Sequence, residues 1–538
     1  MRNWKFRVGW ILLALLAASS LFLAMRPRSP STRLEAARVL RRGIGAEPES
    51  LDPDSARSEA ALSVLRDLFE GLTEIGADGA PVLAAADRCT VSADGTLYTF
   101  HLRKAARWSN GAPLVAADFV AAWRLLVDPR TGAQYSGLLA AVKNAAAIAA
   151  GAAPPATLGV YARGAATLVV ELTQPTPYFL AVLAHPATFP IYPPALAAYG
   201  ARFVKPGRMV SNGAFELVAW EFGSHLLARR NPYYWNAAAT HLQRVEYYTS
   251  GDPAAELRAY RAGDLDVTAT IPPDASAWID AHMPGQLHVA PELAVYYLGF
   301  NLARAPLRDD PKLRRALSMV IDRRRLVQAV TGGGERPAYT FVPIGVDGYT
   351  PPVPAYAHWP MQRRIERARQ LLREAGVAAA PLRLELRYNT GELHDRIALA
   401  VATMWKQALG IETTLHAEEF KVLLHDIDSG STQVFRASWV GDYNDAYSFL
   451  QVLQTGFGIN LTRYSNPLYD RLLQRAGAAP EATQRAALLA RAERVMLRDQ
   501  PLVPLYFYVA KHLVSPKVRG WRDNVMDVVY DKNLSKAP

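Results

Sequence analysis

The chain has 538 residues, of which 50% are apolar and 20% charged, and its formal net charge is +11. This composition excludes a disordered chain. The length predicts roughly three or four domains or lobes. The basic excess is spread along the chain rather than clustered, so it does not predict nucleic-acid binding. The single cysteine, Cys89, excludes an intramolecular disulfide and a cysteine-based zinc site.

The amino terminus has the pattern of an export signal. Arg2, Lys5 and Arg7 precede an uncharged apolar run over residues 8–25, and Arg26 and Arg28 end that run. The pattern predicts a signal peptide within residues 1–30, with cleavage near residue 21 as one option. Eighteen helical residues span about 27 Å, so an uncleaved signal-anchor is the alternative. The rest of the chain is then expected in the periplasm, with membrane contact only through this segment.

The remaining sequence predicts a mixed α/β fold. Alternating apolar residues predict strands, and helical apolar spacing predicts helices. Gly410 stands where a helix is expected to stop. The order strand, helix, strand over residues 382–416 predicts a βαβ-like unit. The predicted strands lie at residues 97–103, 167–172, 382–388 and 412–416, and the predicted helices at 118–127, 311–330, 363–375 and 397–409.

Catalytic signatures are absent from the sequence. It has no Gly-x-Ser-x-Gly, no His-Glu-x-x-His and no phosphate loop, and its 11 histidines have no metal-like spacing. We therefore expect no enzyme, no metal and no cofactor. An exported, aromatic-rich α/β protein of this kind is instead typical of a ligand-binding protein.

Ordered motifs carry a resemblance to a known family. The first, at residues 94–120, contains Asp-Gly-x-x-Tyr-Thr-Phe-His-Leu-Arg, Trp-Ser-Asn-Gly-Ala-Pro and Ala-Asp-Phe-Val. Further matching segments lie at 66–71, 212–217, 231–235, 260–263, 314–317, 321–323, 388–394, 436–444 and 501–506. From about residue 38 to 535 the chain resembles the peptide- and nickel-type solute-binding proteins of ABC importers. Trp-Val-Gly-Asp-Tyr-Asn at 439–444 is most similar to the periplasmic oligopeptide-binding members.

The resemblance implies a two-lobed, hinge-closing periplasmic binding-protein fold with an additional inserted lobe. Lobe I would comprise residues 35–69, 195–293 and 509–538, lobe II residues 70–194, and lobe III residues 294–508. A monomer would hold short extended peptides between lobes I and III and deliver them to an ABC permease, which a separate ATPase drives. A murein-tripeptide binder of the same fold is a close alternative, and an exported peptidase is a distant one.

The resemblance also implies roles for residues at both ends of the ligand. Asp442 matches the acceptor for the peptide ammonium, which needs a fixed opposite charge once water is removed. Arg436 and His394 match positions that contact ligand carboxylates, and a guanidinium can hold a carboxylate with two hydrogen bonds. An ordinary structural role remains open for both of these residues.

Other matched positions would surround the peptide along its length. Residues 437–441, including Ala437, Val440 and Gly441, match a strand that pairs with the peptide backbone, and residues 56–59, ending at Glu59, match the opposite side. The matched pocket-lining residues are Tyr135, Trp405 and Trp439. Trp405 also has the spacing of a core residue in its helix, so both roles stay open.

Several positions depart from the family pattern. Thr331 and Ile427 stand where basic carboxylate partners occur in enterobacterial members, and Ala294 and Val440 replace a disulfide pair. Ala269 replaces a pocket tyrosine, and Arg57 replaces an acidic residue. With no charge at 331 or 427, we expect a preference for tripeptides, and beside Arg57 a preference for acidic side chains.

Overall fold

The computed structural model describes residues 38–308, 310–331, 333–376, 382–479 and 481–537. The predicted signal segment lies outside these residues. Among them, no helix is long and apolar enough to cross a membrane.

Strands are distributed over most of the described chain and form three large sheets. Their bounds are β1 Val39–Gly43, β2 Thr73–Ile75, β3 Pro81–Leu83, β4 Ala86–Val91, β5 Leu97–Leu102, β6 Val160–Ala162, β7 Thr167–Glu171, β8 Phe215–Glu221, β9 His225–Arg230, β10 Arg244–Tyr248, β11 Leu287–Phe300, β12 Arg336–Pro337, β13 Arg383–Asn389, β14 Glu412–Glu418, β15 Val434–Val440, β16 Leu502–Leu513, β17 Val518–Arg519 and β18 Ser535–Lys536.

Helices alternate with these strands, so the predicted α/β class is confirmed. Their bounds are α1 Glu59–Leu68, α2 Ala116–Leu126, α3 Ala145–Ala149, α4 Phe179–Val182, α5 Pro193–Tyr199, α6 Pro253–Ala262, α7 Ser276–His282, α8 Pro311–Met319, α9 Arg323–Leu326, α10 Met361–Glu374, α11 Glu392–Leu409, α12 Phe420–Ser429, α13 Ala446–Leu450, α14 Pro467–Gly477 and α15 Ala482–Asp499.

The three sheets have different connectivity. One has the order β1-β10-β9-β8, and a second, formed by residues 86–171, has the order β4-β5-β7-β6. The largest has six strands in the order β12-β16-β11-β15-β13-β14. Both faces of this sheet are covered, because Val295 and Tyr297 of β11 lie in one apolar core while Tyr296 and Leu298 lie in another. Such two-sided burial explains the nearly continuous apolar run in this strand.

Two long strands pass between the predicted lobes. β11 has 14 residues and β16 has 12, and they pair antiparallel along most of their length. Their register shifts between Pro291 and Val295, beside the boundary predicted at residue 293. An irregular ladder at the crossing point allows the two strands to bend there.

Most predicted elements are confirmed. The strands at 97–102, 167–171, 383–389 and 412–418 agree with prediction, and Gly410 ends α11 in the left-handed region with φ 72°. β13 and β14 pair in parallel, which confirms the βαβ-like unit.

The single helix predicted over residues 311–330 is wrong. Helix α8 ends at Met319, and α9 begins after Asp322, whose side chain accepts a hydrogen bond from the N–H of Arg325. The buried Arg323 guanidinium donates to the carbonyls of Ser318 and Pro504. A capping carboxylate and a distant backbone partner therefore interrupt a run that is apolar at helical spacing.

Candidate ligand-binding cleft

An open strand edge lies at the centre of the candidate site. β15 pairs with β11 from Val434 to Val440, and the N–H of Gly441 extends this ladder by donating to the carbonyl of Leu293 at 2.8 Å. On its other side β15 pairs with β13 only at Val434 and Phe435. Among the described residues, the edge that follows Phe435 carries no strand.

The direction of the backbone groups on this edge follows from the alternation of an antiparallel ladder. Because Gly441 bonds to Leu293, residues 437 and 439 also point their N–H and C=O groups toward β11. The groups of Ser438 and Val440 therefore point to the open side. A peptide backbone can pair with groups of this kind whatever its side chains are.

Asp442 lies just beyond one end of this edge. Its own N–H donates to Oγ of Ser448 at 2.9 Å, and the described residues give its carboxyl group no ion pair. Burial raises the pKa of Asp442 to about 7, and the nearby Glu59 carboxylate adds to the effect. An enclosed carboxyl group without a cation is a suitable acceptor for a ligand ammonium.

Glu59 reaches the same region from the first turn of α1, after the N-cap Ser58. Its side chain is 66% exposed, yet burial by the surrounding protein raises its pKa. The Glu59 carboxylate is thus open to water and at the same time surrounded by protein, as is typical of a group that lines a cleft. The nearest cation is Arg66, with Nη1 3.8 Å from Oε2 of Glu59.

Tyr135 joins this group from a separate part of the chain. Its ring lies 4.5 Å from the ring of His185, and it is half-buried. The pKa of Tyr135 is raised by burial first and then by Asp442 and Glu59, while Arg57 opposes the shift. The structure therefore brings together four of the residues predicted from sequence, although the Arg57 side chain is exposed.

Arg436 lies at the other end of the open edge. Nη1 donates to Oδ1 of Asn389 at 3.1 Å, Nη2 donates to the hydroxyl of Tyr508 at 3.1 Å, and the guanidinium lies 4.7 Å from the ring centre of Tyr296. These partners are neutral, and Arg436 forms no ion pair within the described part of the chain. Its charge is thus available to a ligand carboxylate.

His394 lies beside this guanidinium. The Tyr296 hydroxyl is 3.3 Å from Nδ1 of His394. Burial, together with the charge of Arg436, lowers the pKa of His394 to about 4. His394 is therefore neutral at physiological pH and can contact a ligand by hydrogen bonding rather than by charge.

The remaining candidate residues have different environments. Trp439 is half-buried and its Nε1 donates to the carbonyl of Ser448, while Trp405 is fully buried and donates to the carbonyl of Leu317. Trp405 therefore lies in the core, which was one of the two roles left open. Thr331 and Ile427 carry no charge, and both side chains are buried.

The two positions that replace the family disulfide lie opposite each other. Ala294 and Val440 are direct partners in the β11–β15 ladder, as expected for positions that replace a disulfide pair. Asn389 and Tyr508, which hold Arg436, were not anticipated. They follow from the pairing of distant strands, and no local motif marks them.

Comparisons with known proteins identify the family of the chain. The model of the bacterial extracellular solute-binding proteins, family 5 middle, matches residues 80–460. The periplasmic oligopeptide-binding protein OppA of Salmonella typhimurium is 36% identical over 529 residues, which cover 97% of each chain.

Two solved structures are similar over nearly their whole length. The murein tripeptide binding protein MppA of Escherichia coli has a TM-score of 0.87 and 37% identity, covering 93% of this chain and 98% of that one. Haemophilus influenzae OppA in complex with RPPGFSPFR has a TM-score of 0.86 and 35% identity, covering 93% and 99%.

Proposed function

The chain belongs to family 5 of the bacterial extracellular solute-binding proteins, and we propose that it captures short peptides for an ABC importer. Its fold is the two-lobed periplasmic binding-protein fold of these relatives. One observation carries the proposal: the open edge of β15 runs between Asp442 and Arg436, and the described residues give neither the carboxyl group nor the guanidinium an ion-pair partner.

The strand edge and the two charged groups match three features common to all peptides, namely the backbone, the α-ammonium and the terminal carboxylate. Backbone groups of Ser438 and Val440 pair with the extended ligand backbone, Asp442 accepts the α-ammonium, and Arg436 receives the carboxylate. Glu59, Tyr135 and Arg57 lie beside the amine end and His394 beside the carboxylate end. Capture by common backbone and terminal groups allows many different side chains.

Further parts of the proposal concern movement and partners. Lobe III closes on lobe I by bending at the β11 and β16 crossing, with residues 70–194 as the inserted lobe. The loaded monomer then docks on a membrane permease with its own ATPase, in the periplasm, where the OppA relative is located according to its name. The chain itself catalyses no reaction in this scheme.

A murein tripeptide is the second candidate ligand, supported by the similarity to MppA. Crystals soaked with murein tripeptide and with an ordinary tripeptide separate the two, because only one should occupy the cleft at low concentration. Peptide recovered uncleaved after prolonged incubation excludes the peptidase alternative.

Mass spectrometry of the native ligand tests the proposal. Protein purified from periplasm without added ligand is denatured, and the released compounds are identified. We expect peptides of a few residues with free amino and carboxyl ends. A metal, haem or bile acid in stoichiometric amount, with no peptide, would contradict the proposal.

A further inference from the structure

Glu292 lies at the same end of the cleft as Asp442. The N–H of Gly441 donates to the carbonyl of Leu293 at 2.8 Å. Because the two strands are antiparallel, the residues just beyond this hydrogen bond are Asp442 on one strand and Glu292 on the other. The N–H of Leu293 donates to the carbonyl of Val525 at 2.7 Å, so the backbone beside Glu292 is held from two sides. Glu292 also lies within the register shift of β11, where the long strands pass between lobes.

The carboxyl group of Glu292 has no protein partner in the described ranges. It is half-buried, and neither a hydrogen bond nor an ion pair reaches it there. Burial first, and then the carboxylates of Asp527 and Glu59, raise the pKa of Glu292 to about 8. An enclosed acidic group without a protein partner is costly for the folded protein, and a ligand cation would supply the missing partner.

The two nearby cations are already engaged by other acids. Nε2 of His512 lies 2.9 Å from Oδ1 of Asp527, and Nδ1 lies 3.0 Å from the carbonyl of Thr268. Lys511 forms a short ion pair with Glu335. Both cations act on the pKa of Glu292 from a distance and lower it, but among the described residues neither forms an ion pair with Glu292.

The balance of charge at this end exceeds what one ligand ammonium can neutralise. The ion pairs of the described residues leave Asp442 and Glu292 without a cation, since Arg66 lies 3.8 Å from Glu59 while His512 and Lys511 pair with Asp527 and Glu335. A peptide α-ammonium pairs with Asp442 and leaves Glu292 unmatched. A second positive charge on the first side chain of the ligand, such as a lysine ammonium about six bonds from the α-nitrogen, would complete the pairing.

We propose that Glu292 is a specificity-determining residue that selects peptides with a basic first side chain. This rests on the proposed function, with the α-ammonium at Asp442 and the side-chain cation at Glu292. Arg57, which the sequence alone associates with acidic side chains, is exposed and acts on Tyr135, and it is not among the groups that act on Glu292.

Matched tripeptides test the inference by calorimetric titration at pH 7.5 and low salt. Lys-Ala-Ala is compared with norleucine-Ala-Ala, which keeps the aliphatic chain and lacks the charge, and with Ala-Lys-Ala. We expect wild-type protein to bind Lys-Ala-Ala about tenfold more tightly than both. Glu292→Gln should remove this difference. The control Glu216→Gln, at an acid paired with Arg229 on β9, should retain it.

A second readout does not depend on a variant. A cation beside Glu292 favours its ionised form, so Lys-Ala-Ala should release more protons than norleucine-Ala-Ala on binding. Titrations in two buffers of different ionisation enthalpy measure this release.

The outcomes separate the inference from the function on which it depends. If norleucine-Ala-Ala binds as tightly as Lys-Ala-Ala, or Glu292→Gln keeps the lysine preference, the role of Glu292 is wrong while peptide capture stands. If none of the tripeptides binds, the proposed function is itself wrong.

Discussion

The ring of Tyr178 stacks on the ring of Tyr443, with centroids 5.1 Å apart and ring planes 1° from parallel. Tyr443 directly follows Asp442, the proposed amine anchor, whereas Tyr178 belongs to the proposed inserted lobe. Arg485 lies 5.0 Å from the centre of the Tyr178 ring and forms two hydrogen bonds with the Asp445 carboxylate. This contact therefore connects the proposed inserted lobe to the segment that is proposed to bind the ligand ammonium.

Loss of this stack should weaken ligand binding without any change in the site itself. Tyr178→Ala removes an aromatic contact worth about 0.5–1.5 kcal/mol, which favours separated lobes and should raise the peptide Kd about two- to tenfold. Tyr161→Ala, at a partly exposed tyrosine of β6, is the matched control. An unchanged Kd in Tyr178→Ala would show that the stack does not support closure.

Local signals were enough for much of the fold. Strict alternation over residues 382–388 and the glycine at 410 predict β13 and the end of α11, because both depend on neighbours in sequence. The break at Asp322 was missed because the buried Arg323 binds the carbonyl of Pro504, which is far away in the chain. No pattern within residues 311–330 contains that partner.

The residues of the candidate site likewise include some that a local motif marks and others that depend on distant segments of the chain. Asp442 and Arg436 could be proposed from the sequence because a contiguous motif contains both. Glu292 was missed, since its importance comes from Glu59 and Asp527, which reach it from distant segments. The environment of Trp405 was undecided because helical spacing is the same for a core side chain and for one lining a pocket.

Arg436 should determine the preferred ligand length. Since Thr331 and Ile427 offer no charge, tripeptides should bind more tightly than dipeptides or pentapeptides. Arg436→Gln should flatten that preference and cost about 1.5–3 kcal/mol for the tripeptide, as expected for a lost charged hydrogen bond.

Tripeptide amides provide the control for this length series. They lack the terminal charge, so wild type and Arg436→Gln should bind them alike, and Arg229→Gln on β9 should behave as wild type. Tightest binding of dipeptides by the wild type would refute the assignment of Arg436.

Affinity should depend on pH through Asp442. Its carboxyl group must ionise to pair with an ammonium, and the pKa in the empty cleft is about 7. Affinity for free-amine peptides should therefore fall up to tenfold per unit as the pH drops below 7, with proton release on binding. Asp442→Asn should lose this dependence, and a flat wild-type profile from pH 5 to 7 would argue against the anchor.

The raised pKa of Asp442 also predicts an effect on stability: ionisation of this carboxyl group favours peptide binding but destabilises the empty protein. A carboxyl group with a higher pKa in the folded state binds more protons than in the unfolded chain, so its ionisation destabilises the fold as the pH rises from about 4 through 7. Asp442→Asn should thus increase the free energy of unfolding of the empty protein by about 1–2 kcal/mol at pH 8.

Denaturant titrations measure this increase. Asp428→Asn, at an exposed carboxylate of the same proposed lobe, should leave the free energy of unfolding unchanged. A destabilised Asp442→Asn would indicate that the carboxylate supports the fold rather than the ligand.

The most direct test compares one tripeptide with and without a free amine. Calorimetric titration with Ala-Ala-Ala and N-acetyl-Ala-Ala-Ala changes only the charge that Asp442 is proposed to receive. We predict tight binding of the free peptide and a loss of about 3–5 kcal/mol on acetylation, with a similar loss for the free peptide in Asp442→Ala. Equal affinity of the wild type for the two peptides would contradict capture of the peptide ammonium in this cleft.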